Sequence, residues 1–393
     1  MPANFVERSD RLKKLASSVF SDMERAKQRA VARGQQVINL SVGSPDLPPA
    51  AHILERLHTA VDNPHNYIYP MGDLPEFRQA VAEWYAGRFG TRLDPRNQVV
   101  GLTGSQDGLA HVCLAVGNPG DIVLVPDPGY PIYTAGPVLA GMELYPLPRR
   151  PENNYLPDLE AIPGEVRKKA RVLLLNYPSN PLAATSDLEF FARVVDFARE
   201  NQVIVCHDAA YSELTFDGYR PPSFLQSPGA LEVGIEFNSL SKTFNMAGCR
   251  IGYAVGNPQV IAALAEVKSH VDYGIFRPIQ EAAIAALTGP QEPVREMART
   301  YQQRRDAMVE GLAALGWKIP VPKATMFCWA PLPHGWQSYD FALQLVERTG
   351  VTVVPGVGFG ELGEGYVRIA LVQDVKLIRE AVQRFASSGI FNF

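Results

Sequence analysis

Arg171-Val172-Leu173-Leu174-Leu175 runs into Asn176-Tyr177-Pro178-Ser179-Asn180-Pro181, and Val203-Ile204-Val205-Cys206 runs into His207-Asp208. A helix-friendly segment from Asp187 to Asn201 lies between the two. Both short runs are almost wholly apolar, and each stops on polar or turn-forming residues. Strands buried on both faces read this way, and helices between such strands indicate a parallel sheet. The expected fold class is therefore α/β, a mostly parallel sheet flanked by helices. Sheets of this kind bind ligands beyond the carboxyl ends of their strands. The polar residues after Leu175 and Cys206 are thus the first place to look for chemistry.

Working outward, Asp121 to Val125 repeats the buried-strand pattern and ends at Pro126. Pro75 to Phe89 reads as an amphipathic helix with proline in its first turn. The turn Gly104-Ser105 opens a helix over Asp107 to Val116. Further upstream, a polar helix from Ser21 to Arg33 stops at Gly34, and Val37 to Leu40 is a short strand. After about Gly289 the texture changes. A long polar helix, Glu292 to Leu315, precedes a strand at Lys318 to Val321 and another at Met326 to Ala330. A helix from Asp340, Val351 to Val354, Tyr366 to Leu371 and a closing helix complete the pattern. The predicted division is an arm (1–45) belonging partly to a small domain, a large domain (46–288) and a small α+β C-terminal domain (289–393).

The bulk numbers narrow the function. With 393 residues, 46% of them hydrophobic, the chain can build two cores. Its net charge is -4, and its longest basic run is Arg167-Lys168-Lys169. Nucleic acid needs clustered cations, so no nucleic-acid partner is expected. Cys113, Cys206, Cys249 and Cys328 are far apart, without the paired spacing of metal clusters or disulfide frameworks. Cys249 reads as a small buried residue rather than a nucleophile. Sparse cysteine, no leader-like stretch in Met1 to Arg11 and no long apolar run predict a cytoplasmic protein without membrane spans.

Four stretches carry candidate chemistry. In Asn238-Ser239-Leu240-Ser241-Lys242-Thr243, followed by Gly248-Cys249-Arg250-Ile251-Gly252, a lysine stands among hydroxyls with a cation eight positions later. An amine that attacks carbonyls needs such company if its ligand also bears a phosphate. By composition alone, a surface loop explains it as well. Asp208 ends a buried strand, with Tyr211 three residues on. Asn176 to Pro181 is, in isolation, an Asn/Pro turn. Gly104-Ser105-Gln106 offers backbone amides and a hydroxyl at a helix start, where anions bind well.

As an ordered set these stretches resemble the class I/II aminotransferases of the pyridoxal-5′-phosphate-dependent type I fold, over nearly the whole chain. The lysine stretch is the most specific. The looser Tyr273-Gly274-Ile275-Phe276…Pro278-Ile279-Gln280-Glu281 is similar to the LL-diaminopimelate and alanine-type subgroup. The resemblance implies pyridoxal 5′-phosphate as cofactor and a two-half, ping-pong exchange between an amino acid and a 2-oxo acid. Lys242 would hold the cofactor and shuttle the substrate α-proton. Asp208 would pair with the pyridine nitrogen, while Tyr211 and Asn180 would bond the ring hydroxyl. Tyr130 would stack on the ring. Ser105, Gln106, Ser239, Ser241 and Arg250 would surround the phosphate. Arg368 would grip the α-carboxylate, and Gly43 would offer it backbone. A homodimer with shared sites is also implied, a tyrosine of one copy reaching the other's phosphate. Anchoring on Gly72 selects Tyr67, but the spacing is shifted by one residue, so Tyr69 stays open.

The sequence departs from the family at Asn180-Pro181-Leu182-Ala183, where the family has Asn-Pro-Thr-Gly, and a different turn is expected there. Rival classes share parts of the set. A pyridoxal-phosphate lyase or acyltransferase would keep Lys242 and Asp208. A regulator would need a DNA-binding segment, for which the residues before Gly43 leave no room. A nicotinamide enzyme would want GxGxxG after the first strand, and Gly356-Val357-Gly358-Phe359-Gly360 comes too late. Where family members specific for short dicarboxylates carry a second arginine, this chain has His270. Arg277 lies in the loosely matched stretch. A dedicated aspartate enzyme is not expected; glutamate with pyruvate, or LL-diaminopimelate with 2-oxoglutarate, fits better.

Overall fold

The computed structural model describes residues 7–15 and 19–390, so the start of the Met1–Arg11 stretch and of the arm lies outside the described residues. The strands in chain order are β1 (Ile38–Asn39), β2 (Val99–Leu102), β3 (Ile122–Asp127), β4 (Glu143–Pro148), β5 (Ala170–Asn176) and β6 (Ile204–Asp208). They continue with β7 (Gly234–Ser239), β8 (Gly252–Gly256), β9 (Phe327–Pro331), β10 (Val351–Thr352), β11 (Val354–Pro355) and β12 (Tyr366–Ala370). Seven of them form one sheet in the order β2-β8-β7-β6-β5-β3-β4. Strand β8 runs antiparallel to both neighbours and the other pairings are parallel. The α/β class is as expected, a mostly parallel sheet between helices.

The continuous apolar runs are explained by two cores, one on each face of this sheet. Val172 and Leu174 of β5 pack in one, with Leu109, Val112 and Leu264 from helices on that side. Leu173 and Leu175 pack in the other, with Phe190, Phe191 and Val194 of the helix Leu188–Asn201. Successive side chains of a strand point to opposite faces, so only a strand covered twice needs every residue apolar. Local signals fix the helix ends. Asp187 caps Leu188–Asn201 by accepting the Phe190 N–H at 2.8 Å. Helix Pro75–Phe89 begins on proline and ends at Gly90, whose φ of 69° closes the last turn.

The rest of the strands form two smaller sheets. Strand β1 pairs in parallel with β10, which ties the N-terminal arm to the C-terminal part of the chain. Strands β11, β12 and β9 form an antiparallel sheet. One expected strand is absent: Lys318 to Val321 is irregular. Pro320 has no N–H to donate to a ladder, and Pro322 follows at once. The expected single strand Val351 to Val354 is divided between two sheets at Val353. No helix among the described residues is long and apolar enough to cross a membrane.

Candidate active site

The carboxyl ends of β5, β6 and β7 lie side by side, in a register that sets Asn176 opposite Asp208 and Asp208 opposite Phe237. Beyond them opens a cavity of about 570 Å³, within the usual size range of small-molecule sites. Ser105, Gln106, Tyr130, Asn180, Asp208 and Tyr211 line it. So do Gly43, Ser239, Ser241, Lys242, Arg250 and Arg368. Twelve of the residues singled out in the sequence thus meet in one place. Tyr67 and Tyr69 do not: they are 65% and 76% exposed and outside this lining.

Lys242 sits on the short helix Leu240–Thr243 directly after β7, and its Nζ donates to the Gly43 carbonyl at 2.7 Å. Burial pushes its amine down to about 8, helped by the positive Arg368 and Arg250 and opposed by Asp208. Asp208 is buried at the end of β6. Tyr133 donates to its Oδ2 at 2.7 Å and the Ala210 N–H to its Oδ1 at 3.2 Å. Burial raises the Asp208 carboxyl above the ordinary range, although these donors and the nearby His207 and Lys242 pull the other way.

Arg368, on β12, donates to Asn180 Oδ1 at 2.9 Å and to the Ser41 carbonyl at 2.7 Å. Its guanidinium lies 4.2 Å from the Phe327 ring centre and 4.8 Å from that of Phe359. Burial lowers its pKa to about 10, and its Nε has no hydrogen-bond partner. Asn180 is itself fixed, its N–H donating to Asn176 Oδ1 at 2.7 Å. At the opposite wall the helix Ser105–Val116 begins. A Cβ on Gly104 would sit 2.5 Å from Arg250 Nη2, so only glycine lets the guanidinium reach this helix start. Tyr130 donates to Gln106 Oε1 at 3.1 Å. Three cations, Lys242, Arg250 and Arg368, therefore face one carboxylate, Asp208, a balance suited to a ligand with several negative charges.

A family model described as aminotransferase class I and II matches residues 35–385. The chain belongs to the class I and II aminotransferases. LL-diaminopimelate aminotransferase from Moorella thermoacetica is 50% identical to it over 380 residues, 96% of this chain and 97% of that protein. The enzyme of the same name from Syntrophobacter fumaroxidans is also 50% identical, over 378 residues and the same shares. Among solved structures, substrate-bound BacF from Bacillus subtilis superposes with a TM-score of 0.93 at 39% identity, covering 97% of both chains. A probable N-succinyldiaminopimelate aminotransferase from Thermus thermophilus gives 0.90 at 40% identity, covering 94% of this chain and 100% of that one.

Enzymes of this class depend on pyridoxal 5′-phosphate, and the aminotransferase cavity fits it. A buried amine, an opposing buried carboxylate and a helix start beside an arginine match the cofactor's carbonyl carbon, ring nitrogen and phosphate. Two features were not foreseen. Tyr133, which holds Asp208, lies in the first turn of the helix Ile132–Ala140, three residues after Tyr130 in the same cavity lining, and no local signal in the sequence marks it. Phe327 and Phe359, which flank Arg368, have no local signal, because they reach it only through the fold of the small sheet. In the turn after Asn180, where a change was expected, Ala183 takes φ +53°, the left-handed conformation that favours glycine, so alanine here adopts a backbone that a glycine would hold without strain.

Proposed function

We propose that this aminotransferase takes the amino group of LL-diaminopimelate and delivers it to 2-oxoglutarate, in two half-reactions that share one site. The convergence of Lys242, Asp208, Asn180 and Arg368 in a single buried cavity carries the chemistry. Half identity over almost the whole chain to enzymes named for LL-diaminopimelate supports the donor.

In this reading Lys242 holds the cofactor covalently, Asp208 faces its ring nitrogen, Tyr211 and Asn180 its ring hydroxyl, and Tyr130 its ring face. Ser105, Gln106, Ser239, Ser241 and Arg250 surround its phosphate. When bound, the cofactor supplies an electron-accepting ring that stabilises negative charge left at the substrate α-carbon. The chain does the rest. Lys242 Nζ, with its pKa brought down to about 8, accepts and returns the α-proton near neutral pH. Tyr133 favours the charged form of Asp208 by donating to it, against the raising effect of burial. Arg368 offers its planar fork to the α-carboxylate, held in place by Asn180, the Ser41 carbonyl and two aromatic rings. The Gly43 backbone stands beside the same carboxylate.

The cavity lining of one copy leaves no further charged group for the distal end of a dicarboxylate. His270 is exposed and Arg277 faces the His65 carbonyl at 3.5 Å, both outside that lining. We therefore read the working protein as a homodimer in which a second copy completes the site. Exposed Tyr67, Ile68, Tyr69, Met71, Tyr273 and Phe276 support this, an apolar surface that a partner would cover. Residues 1–45 and 289–393 are read as one small unit against the 46–288 body, on the pairing of β1 with β10. The sparse, free cysteines fit a cytoplasmic setting.

A panel of amino donors against pyruvate and 2-oxoglutarate tests the assignment. LL-diaminopimelate with 2-oxoglutarate is expected to give the highest kcat/KM, with parallel double-reciprocal lines. A higher value for aspartate, alanine or glutamate as donor refutes the assignment.

A further inference from the structure

Two residues beyond Ser105, in the first turn of the helix Ser105–Val116, stands Asp107. A carboxylate suits the amides of a helix start. Here it shares that turn with Ser105 and Gln106, and like charges repel strongly where water is excluded. Asp107 does not line the cavity. Its Oδ2 accepts from the Thr103 N–H at 2.9 Å and from Lys268 Nζ at 2.5 Å, and its Oδ1 meets His111 Nδ1 at 2.8 Å. Lys268 comes from another helix, Pro258–Val271, and also donates to Asp272 Oδ2 at 2.8 Å.

The lysine is out of place for packing. It is 5% exposed, on the helix face that buries Val260, Ile261 and Leu264. An apolar residue would serve that face better, because burying an ammonium is expensive unless its partner needs it. The partner does. Burial alone would raise the Asp107 carboxyl, but the hydrogen bond and charge of Lys268, together with the hydrogen bonds from Thr103 and His111, outweigh it and hold the group below its ordinary value. Lys268 in turn is raised above its usual value, its two carboxylates overcoming the lowering by burial.

We propose that Lys268 is a positioning residue for the cofactor phosphate: it neutralises Asp107 and pins the first turn that presents Ser105 and Gln106. This role rests on the phosphate lying at that helix start. Without the lysine, Asp107 keeps only the Thr103 N–H and His111, Asp272 loses its cation as well, and uncompensated negative charge stands in the same turn as the groups that would hold a dianion. The charge effect is largest on the phosphate, the nearest charged group of the cofactor, and weaker on the ring.

The test is titration of the apoenzyme with pyridoxal 5′-phosphate and, separately, with pyridoxal, which lacks the phosphate. Lys268→Met is expected to weaken pyridoxal 5′-phosphate by about tenfold, the effect of one partly screened charge contact, and to leave pyridoxal binding nearly unchanged. Lys268→Met with Asp107→Asn is expected to recover most of the loss. Asp107→Asn alone, which keeps the acceptor for Thr103, is expected to bind pyridoxal 5′-phosphate at least as tightly as the parent. Equal weakening of both ligands by Lys268→Met overturns the proposal, as does a double variant no better than the single. If Lys268→Met does not fold, Asp107→Asn decides: weaker pyridoxal 5′-phosphate binding overturns it. Gln106→Ala with Ser105→Ala checks the premise separately. If that variant keeps the full preference for the phosphorylated ligand, the phosphate lies elsewhere.

Discussion

Asp208 shows how single residues make this site. A carboxyl buried among apolar strands prefers its neutral form, yet the proposed pairing with the cofactor's ring nitrogen requires it charged. The Tyr133 hydroxyl, 2.7 Å from Oδ2, opposes the burial. Tyr133→Phe removes a donor to a charged group, worth about 1.5–3 kcal/mol. It is expected to lower kcat/KM by about tenfold or more and to raise the Asp208 pKa further. Activity needs the ionised carboxylate, so the acidic limb of the pH–rate profile should move to higher pH. An unchanged profile and rate would show that Tyr133 does not hold Asp208. The same residue scale shows what could be read in advance. Asp208 and Asn180 drew attention because each follows an apolar strand, Lys242 because hydroxyls and a cation eight positions on surround it, and the ordered set gave them their roles through the resemblance. Arg368 was legible through the resemblance. The rings of Phe327, in a strand, and Phe359, in a short 3-10 helix, were not, since a buried aromatic reads as core until the fold brings it to its partner.

Among elements, β3, β5 and β6 of the large sheet were legible from their apolar runs, whereas the fully buried β2 and β7 were not read: β2 has only four residues, and β7 carries Glu236, Asn238 and Ser239. Strand β4, with Glu143, Leu144 and Pro146 exposed, gave no such run. Strand β8, Gly252–Gly256, begins where the lysine stretch ends, and its Gly-Tyr-Ala-Val-Gly run is too short and glycine-rich to read as a strand. Lys318 to Val321 was expected as a strand, and Pro320 and Pro322 keep it irregular. The turn at Ala183 carries a separate consequence. An alanine at φ +53° bears a steric penalty of roughly 1–2 kcal/mol, part of which glycine's greater unfolded-state entropy would cancel. Ala183→Gly is expected to stabilise the protein by up to about 1 kcal/mol, read as a raised melting temperature. A lower melting temperature would mean that packing of the Ala183 methyl outweighs the backbone.

On the scale of the whole molecule, one chain assembles everything around Lys242 except the tyrosine that the family takes from its partner. Tyr67 and Tyr69 instead pack edge-on against Phe276 and Tyr273 at the surface, with ring centres 5.5 and 5.9 Å apart. Mixing Lys242→Ala with Tyr67→Phe/Tyr69→Phe tests whether they serve a second copy. If they do, each mixed dimer regains one intact site, whose cofactor affinity returns to the parent value. If the tyrosines act within their own chain, mixing restores nothing.

All of these expectations depend on Lys242 being the residue that anchors the cofactor and moves the proton. Its amine, buried, lowered to about 8 and facing the Gly43 carbonyl, is the feature that the rest of the cavity surrounds. The direct measurement is the visible absorption spectrum and the rate of amino transfer of Lys242→Ala loaded with pyridoxal 5′-phosphate. The predicted result is loss of the lysine-linked absorption band and no measurable transfer from LL-diaminopimelate or any other amino acid. A Lys242→Ala protein that keeps the band and turns over at the parent rate would contradict the account.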